Sequence, residues 1–200
     1  MTRFSVRTMN IMEKKLFESI SEKARSLGAY KTGVIRVKDI SFDASFRELC
    51  ASNACGKYGK CYMCPPDVGD IGQLMTEAKQ YDYAFVYQTV TAIEDSFDFE
   101  GMMEAKRRTY PLSQKLREVF RDLNITNALH LGAGGCGVCK VCAKQNQEPC
   151  RFPELAMASL EAYGVNVSLL AKAAGMKYCN GQNTVTYFGV VLFSFGGEEK

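Results

Sequence analysis

Tryptophan is absent from this 200-residue chain, histidine occurs once, proline only five times, and no run of eighteen apolar residues exists. Each scarcity removes a class of protein. Without a long apolar run, no segment reads as a membrane span. Five prolines and 17 glycines exclude a collagen-like or proline-rich chain, and 46% hydrophobic with 24% charged residues argues against extensive disorder and coiled coil. Charge of one sign is also scarce: 25 basic against 22 acidic residues leave +3, too little to point to nucleic acid or acidic lipid as an obligatory partner. A chain of this length buries roughly 70% of its unfolded surface as a single domain spanning residues 1–200, so a metal is not needed in place of a core.

What the chain does have is cysteine, nine in all. Their reading depends on compartment. Residues Met1 to Glu13 mix Arg3 and Arg7 with polar side chains and lack the apolar centre of a secretory signal, so the expected location is cytoplasmic. In a reducing compartment, closely spaced thiols are metal ligands or redox groups rather than structural disulfides.

Periodicity predicts an α/β domain. Apolar residues at helical spacing from Met12 to Leu27, stopped by Gly28, predict an amphipathic helix, and Val34 to Ile40 a strand. Asp43 is positioned to cap a short helix through Phe46 and Leu49 that delivers Cys50. Further helices are expected over Ile71 to Gln80 and over Phe97 to Leu123, the latter kinked or divided at Pro111. Pro153 to Gly164 should form another, and Asn166 should cap one closed by Gly175. Strands are expected at Tyr83 to Val90, Ala128 to Leu131 and Thr184 to Phe195. This alternation predicts a largely parallel sheet flanked by helices, with an antiparallel C-terminal edge strand and both cysteine loops converging beyond the carboxyl edge.

The cysteines fall into two sets. Cys50, Cys55, Cys61 and Cys64 are spaced C-x4-C-x5-C-x2-C, followed by Pro65 and Pro66. Cys136, Cys139, Cys142 and Cys150 are spaced C-x2-C-x2-C-x7-C. Three thiolates at the x2-x2 spacing can take three corners of a 4Fe-4S cube while a distant cysteine takes the fourth. Mononuclear zinc more often draws C-x2-C pairs from two separated knuckles, for which the middle cysteine is awkward. Two 4Fe-4S clusters are therefore the leading expectation, with two zinc ions, or thiol redox chemistry, as alternatives. The division of the eight stays open: each set can serve its own centre, or Cys64 can join Cys136, Cys139 and Cys142 while Cys150 completes the first set. Gly56, Gly59, Gly134, Gly135 and Gly137 give the loops backbone freedom around sulfur. Lys57, Lys60, Lys140, Lys144 and Arg151 line them with positive charge that either tunes a cluster or is a solvated rim.

Cys55-Gly-Lys-Tyr-Gly-Lys-Cys61 with Cys64-Pro65-Pro66, and Gly-Gly-Cys136 through Cys150-Arg151-Phe-Pro153 to Ser159-Leu-Glu161-Ala-Tyr-Gly164, together resemble a family of cysteine-rich bacterial and archaeal proteins of unknown function, described as predicted metal-binding. Members often carry proline before the serine equivalent to Ser159, where this chain has Ala158. The resemblance implies metal binding, and its distribution among anaerobes implies oxygen-sensitive clusters and electron transfer.

The remaining candidates read as structural. Cys179 reads as a small buried apolar residue and His130 as a hydrogen-bonded strand residue. Lys106, Arg107 and Arg108 form a solvated basic run, or a dock for an acidic electron donor. Glu154 and Glu161 read as helix-end carboxylates, Tyr58 and Tyr62 as shields of the first loop. The Gly132 to Gly137 run lacks the following helix of a nucleotide loop. The expected protein carries single electrons to a redox partner protein; the rivals are a zinc-braced interaction module and an enzyme that binds substrate at a cluster held by three thiolates.

Overall fold

The computed structural model describes residues 11–195, so the reading made around Arg3 and Arg7 lies outside it. Its helices are α1 Ile11–Ser26, α2 Phe46–Ala51, α3 Ile71–Ala78, α4 Phe99–Asp122 and α5 Val167–Ala173. Its strands are β1 Lys31–Arg36, β2 Tyr83–Ala92, β3 Ala128–Gly132, β4 Ala158–Ser159 and β5 Thr184–Phe193, forming one sheet in the order β1-β2-β5-β3-β4.

The α/β class holds, but the sheet is mostly antiparallel rather than largely parallel. β2 pairs antiparallel with β1 and β5, and β3 antiparallel with β5; β3 and β4 alone pair in parallel, over Leu131↔Ala158 and Gly132↔Ser159. The expected crossover is present in direction, since β2 and β3 both oppose β5 and so run the same way, joined through α4. β5 returns between them instead of adding at an edge. Its residues from Phe188 to Phe193, apart from Gly189, are apolar and buried, as a central strand requires. Continuous apolar runs such as Tyr83 to Tyr87 arise here because helices cover both faces, a condition that parallel sheets usually meet but do not monopolise.

Strand alternation divides the core. Tyr83, Phe85 and Tyr87 of β2 and Val191 and Phe193 of β5 pack against Phe17, Ile20 and Ala24 of α1 and Leu112, Leu116 and Phe120 of α4. On the other face Ala84, Val86, Val190 and Leu192 meet Leu74 and Ala78 of α3 and Leu170 and Ala171 of α5.

Three local expectations are corrected. α4 is not divided at Pro111, which lies on the exposed side of the helix together with Arg107, the residue whose carbonyl loses its usual donor. No α-helix follows Pro153: the Leu160 amide bonds to Gly132 O (3.1 Å) and the Ser159 hydroxyl accepts from Ala162 N (3.1 Å), so this backbone serves the sheet edge and a 3-10 turn, Glu161–Tyr163, that Gly164 ends at φ +72°. Ser45, not Asp43, stands at the start of α2, with the Asp43 carboxylate accepting from Ser45 N (2.9 Å). Asn166 does cap α5, accepting from Leu169 N at 3.1 Å.

The two cysteine loops meet, by a different route from the one expected. Because β1 runs opposite to β3, with Arg36 level with Tyr83, its carboxyl end lies at the far end of the sheet from Gly132. The chain after β1 instead returns along the α3–α5 face, held by Asn166 N to Ser41 O (3.0 Å), Asp43 N to Gly164 O (2.7 Å) and the bridge Phe42↔Val165.

Candidate metal centre

In the first loop, tight turns set by Cys64 N to Cys61 O (3.0 Å) and Gly59 N to Pro65 O (2.9 Å) fold the C-x2-C segment inward. Cys61 and Cys64 are buried, Cys50 is half-buried and Cys55 exposed. In the second loop all four cysteines are half-buried. Cys61 crosses over: with Cys136, Cys139, Cys142 and Cys150 it lines a single recess, whose wall also includes Tyr62 and Phe152. Cys64 lies beside it, its sulfur against Gly135 of the second loop, and feels the charges of Cys61, Cys55 and Cys50. Five of the eight candidate ligands thus share one recess, with Cys61 and Cys64 at the seam between the two loops.

The Cys64 thiol donates to Cys61 and holds the Cys61 thiol below its usual range, aided by the amides of Met63 and Cys136 and the thiol of Cys142. Donating that bond, together with burial, pushes the Cys64 thiol up. Burial also raises Cys136, against lowering amides from Val138 and Met157, and raises Cys50. Among the described residues no group of three or more Cys, His, Asp or Glu side chains stands in position to hold a metal ion. The donor set nonetheless fits a thiophilic metal: thiols from two distant stretches converge, and backbone amides already point at two of the sulfurs, the environment in which thiolates are stabilised. Metal binding would displace the S–H protons, making it dependent on pH.

Close backbone approach explains two glycines. A Cβ on Gly135 would stand 2.7 Å from the Cys64 sulfur, and one on Gly137 would stand 2.2 Å from the Tyr110 ring. Tyr110 belongs to a stripe on α4 that clasps the second loop: the Lys106 ammonium lies against Gly134, the Tyr110 hydroxyl donates to Gly135 O, Gln114 donates to Leu155 O (2.9 Å), and Arg117 donates to Glu154 O (2.5 Å) and Ala156 O (2.8 Å). Between the loops, Tyr62 donates to Glu148 O (2.7 Å) and Lys144 pairs with Asp67. Arg151 pairs with Glu148 (2.8 Å) and also bonds toward Cys139.

The chain matches, over residues 33–193, the model of a family described as predicted metal-binding protein (DUF2284). It belongs to that family. No curated protein and no solved structure matches it. The matched span contains all eight candidate ligands and the α4 stripe that holds the second loop.

Sequence reasoning missed Tyr110, Gln114 and Arg117, and assigned Lys106 to a solvated run. The signal was present as a near-helical spacing of long polar residues on α4, interleaved with the buried Leu112 and Leu116. Arg107 and Arg108 do sit outside, both paired with Glu104. Cys179 is exposed, not buried, because Gly175 ends α5 and releases residues 177–183 into a surface loop.

His130 packs edge-on against Phe120 at 5.9 Å, in place of the expected hydrogen bond. Burial, and secondarily the nearby Arg117, push its imidazole down to about 3. An unfolded histidine takes up its proton near pH ~6.5, so between the two values the unfolded chain binds more protons and stability falls as pH drops. Urea midpoints at about pH 7 and about pH 5 should fall further for the native chain than for His130→Gln, and equal falls would refute this contribution.

Proposed function

We propose that this family member is an iron-sulfur protein that holds two 4Fe-4S clusters and passes single electrons to a redox partner. The observation that carries the reading is the convergence of Cys61 with Cys136, Cys139, Cys142 and Cys150 on one recess, beside Cys50, Cys55 and Cys64. Such clusters, when bound, supply reversible one-electron chemistry at a potential set by their surroundings.

The chain's own groups do the setting. The amides of Met63 and Cys136 directed at Cys61, and of Val138 and Met157 directed at Cys136, offset negative charge on sulfur and favour the reduced state. Arg151 toward Cys139 and Lys106 against Gly134 act in the same direction. Lys144 is already committed to Asp67, which reduces its part in this tuning.

Stepwise reduction of anoxically isolated protein tests the reading. Brown absorbance should bleach with uptake of about two electrons per chain and return on mild oxidation. A colourless protein that takes up none and carries about two zinc ions would establish the zinc-braced module instead.

A further inference from the structure

A second cavity, of about 200 Å3, lies at the edge of β3 and shares Met63 and Ala156 with the thiol recess. We infer that it is a binding site for a small aliphatic carboxylate. Backbone geometry supplies one part of the argument. β5 occupies one side of β3, while β4 covers only Leu131 and Gly132 on the other. The Gly132 carbonyl accepts from Leu160 N at 3.1 Å, so strand alternation aims the N–H and C=O of His130, two residues earlier, the same way. The parallel pairing of Leu131 with Ala158 engages the His130 carbonyl, but β4 begins only at Ala158, so among the described residues no strand faces the His130 N–H, and His130 lines the cavity. An amide at an open strand edge is a donor ready for a ligand.

Arg117 supplies the charge. It lines the same cavity, and its acceptors are the neutral carbonyls of Glu154 and Ala156; among the described residues it forms no ion pair, and its Nε is buried without an acceptor. Guanidinium is permanently charged and, when withdrawn from water, is matched by an anion wherever one fits. Val68, Leu129 and Met157 form apolar wall, suited to a short alkyl chain rather than to a bare inorganic ion. A cavity of about 150 Å3 takes benzene, so this one accommodates a ligand of roughly six to eight non-hydrogen atoms. The ligand class is therefore a short-chain carboxylate, its charge at Arg117 and the His130 amide and its chain along the Leu129 side. The assignment rests on the cavity alone and not on which metal the cysteines hold.

Calorimetric titration of the full chain with butyrate and with its neutral isostere butyramide tests the inference. Butyrate should bind at least about tenfold more tightly than butyramide, and Arg117→Met should remove that preference. Because Arg117 also anchors the Glu154 and Ala156 carbonyls, Leu129→Phe serves as an independent variant: it fills the cavity, keeps the guanidinium and should lower butyrate affinity at least about tenfold in a chain with an unchanged circular dichroism spectrum. Equal binding of butyrate and butyramide, no butyrate binding, or binding unaffected by Leu129→Phe would each overturn it. Failure to find iron would remove the electron carrier and leave these heats untouched, so the two proposals fail separately.

Discussion

Substituting Cys61 by serine alters the same paramagnetic signal that substituting Cys139 alters and leaves the signal that depends on Cys55. This is the expected result because Cys61, although it lies in the first set by sequence, lines the recess of the second, where it takes a hydrogen bond from Cys142 and the amide of Cys136. Cys64, three residues later, lies against Gly135 at the seam and feels the charges of Cys61, Cys55 and Cys50. A serine hydroxyl is a harder and far less acidic donor than a thiol, so it does not restore the iron bond. Iron analysis and low-temperature electron paramagnetic resonance on the three single variants check the assignment. If Cys61→Ser instead removes the Cys55-dependent signal, each sequence set serves its own centre and the crossed grouping is wrong.

Replacing Phe120 by alanine lowers folding stability by about 3–5 kcal/mol, the cost of emptying a fully packed aromatic site. Phe120 is 1% exposed and sets its ring edge-on to Phe193 (5.2 Å), Phe85 (5.8 Å) and His130 (5.9 Å). It anchors α4 to the sheet, and α4 carries Tyr110, Gln114 and Arg117 to the second cysteine loop, so the same substitution should also weaken metal retention. Phe97, 82% exposed just before α4, is the control: Phe97→Ala should change stability by no more than about 0.5 kcal/mol. Urea denaturation of the two variants gives the comparison, and similar midpoints for both would contradict the packing described for this face.

The cysteine spacing, the glycines beside it and the order of helices and strands were legible in the sequence because each is a local pattern. α1 could be read from Phe17, Ile20 and Ala24, and α5 from its Asn166 cap, because the physical cause lies within a turn or two of the residue. Strand direction was not legible. The apolar run Tyr83 to Tyr87 reports burial on both faces, which helices on either side produce whatever the neighbouring strand's direction. The insertion of β5 between β2 and β3 is a long-range choice, recorded locally only in the two-sided burial of Phe188 to Phe193. Ser159 shows the same limit: its bond to Ala162 N and the Leu160–Gly132 contact convert an apparent helix into a sheet edge, through a partner strand more than twenty-five residues away. The crossing of Cys61 into the second recess also depends on a fold-level route, the return of the chain past Val165.

The central claim is that sulfur from both loops holds iron, and elemental analysis of the chain isolated without oxygen tests it most directly. The account predicts about eight irons and about eight acid-labile sulfides per chain. A correctly folded chain that contains neither, isolated under the same conditions, would contradict it.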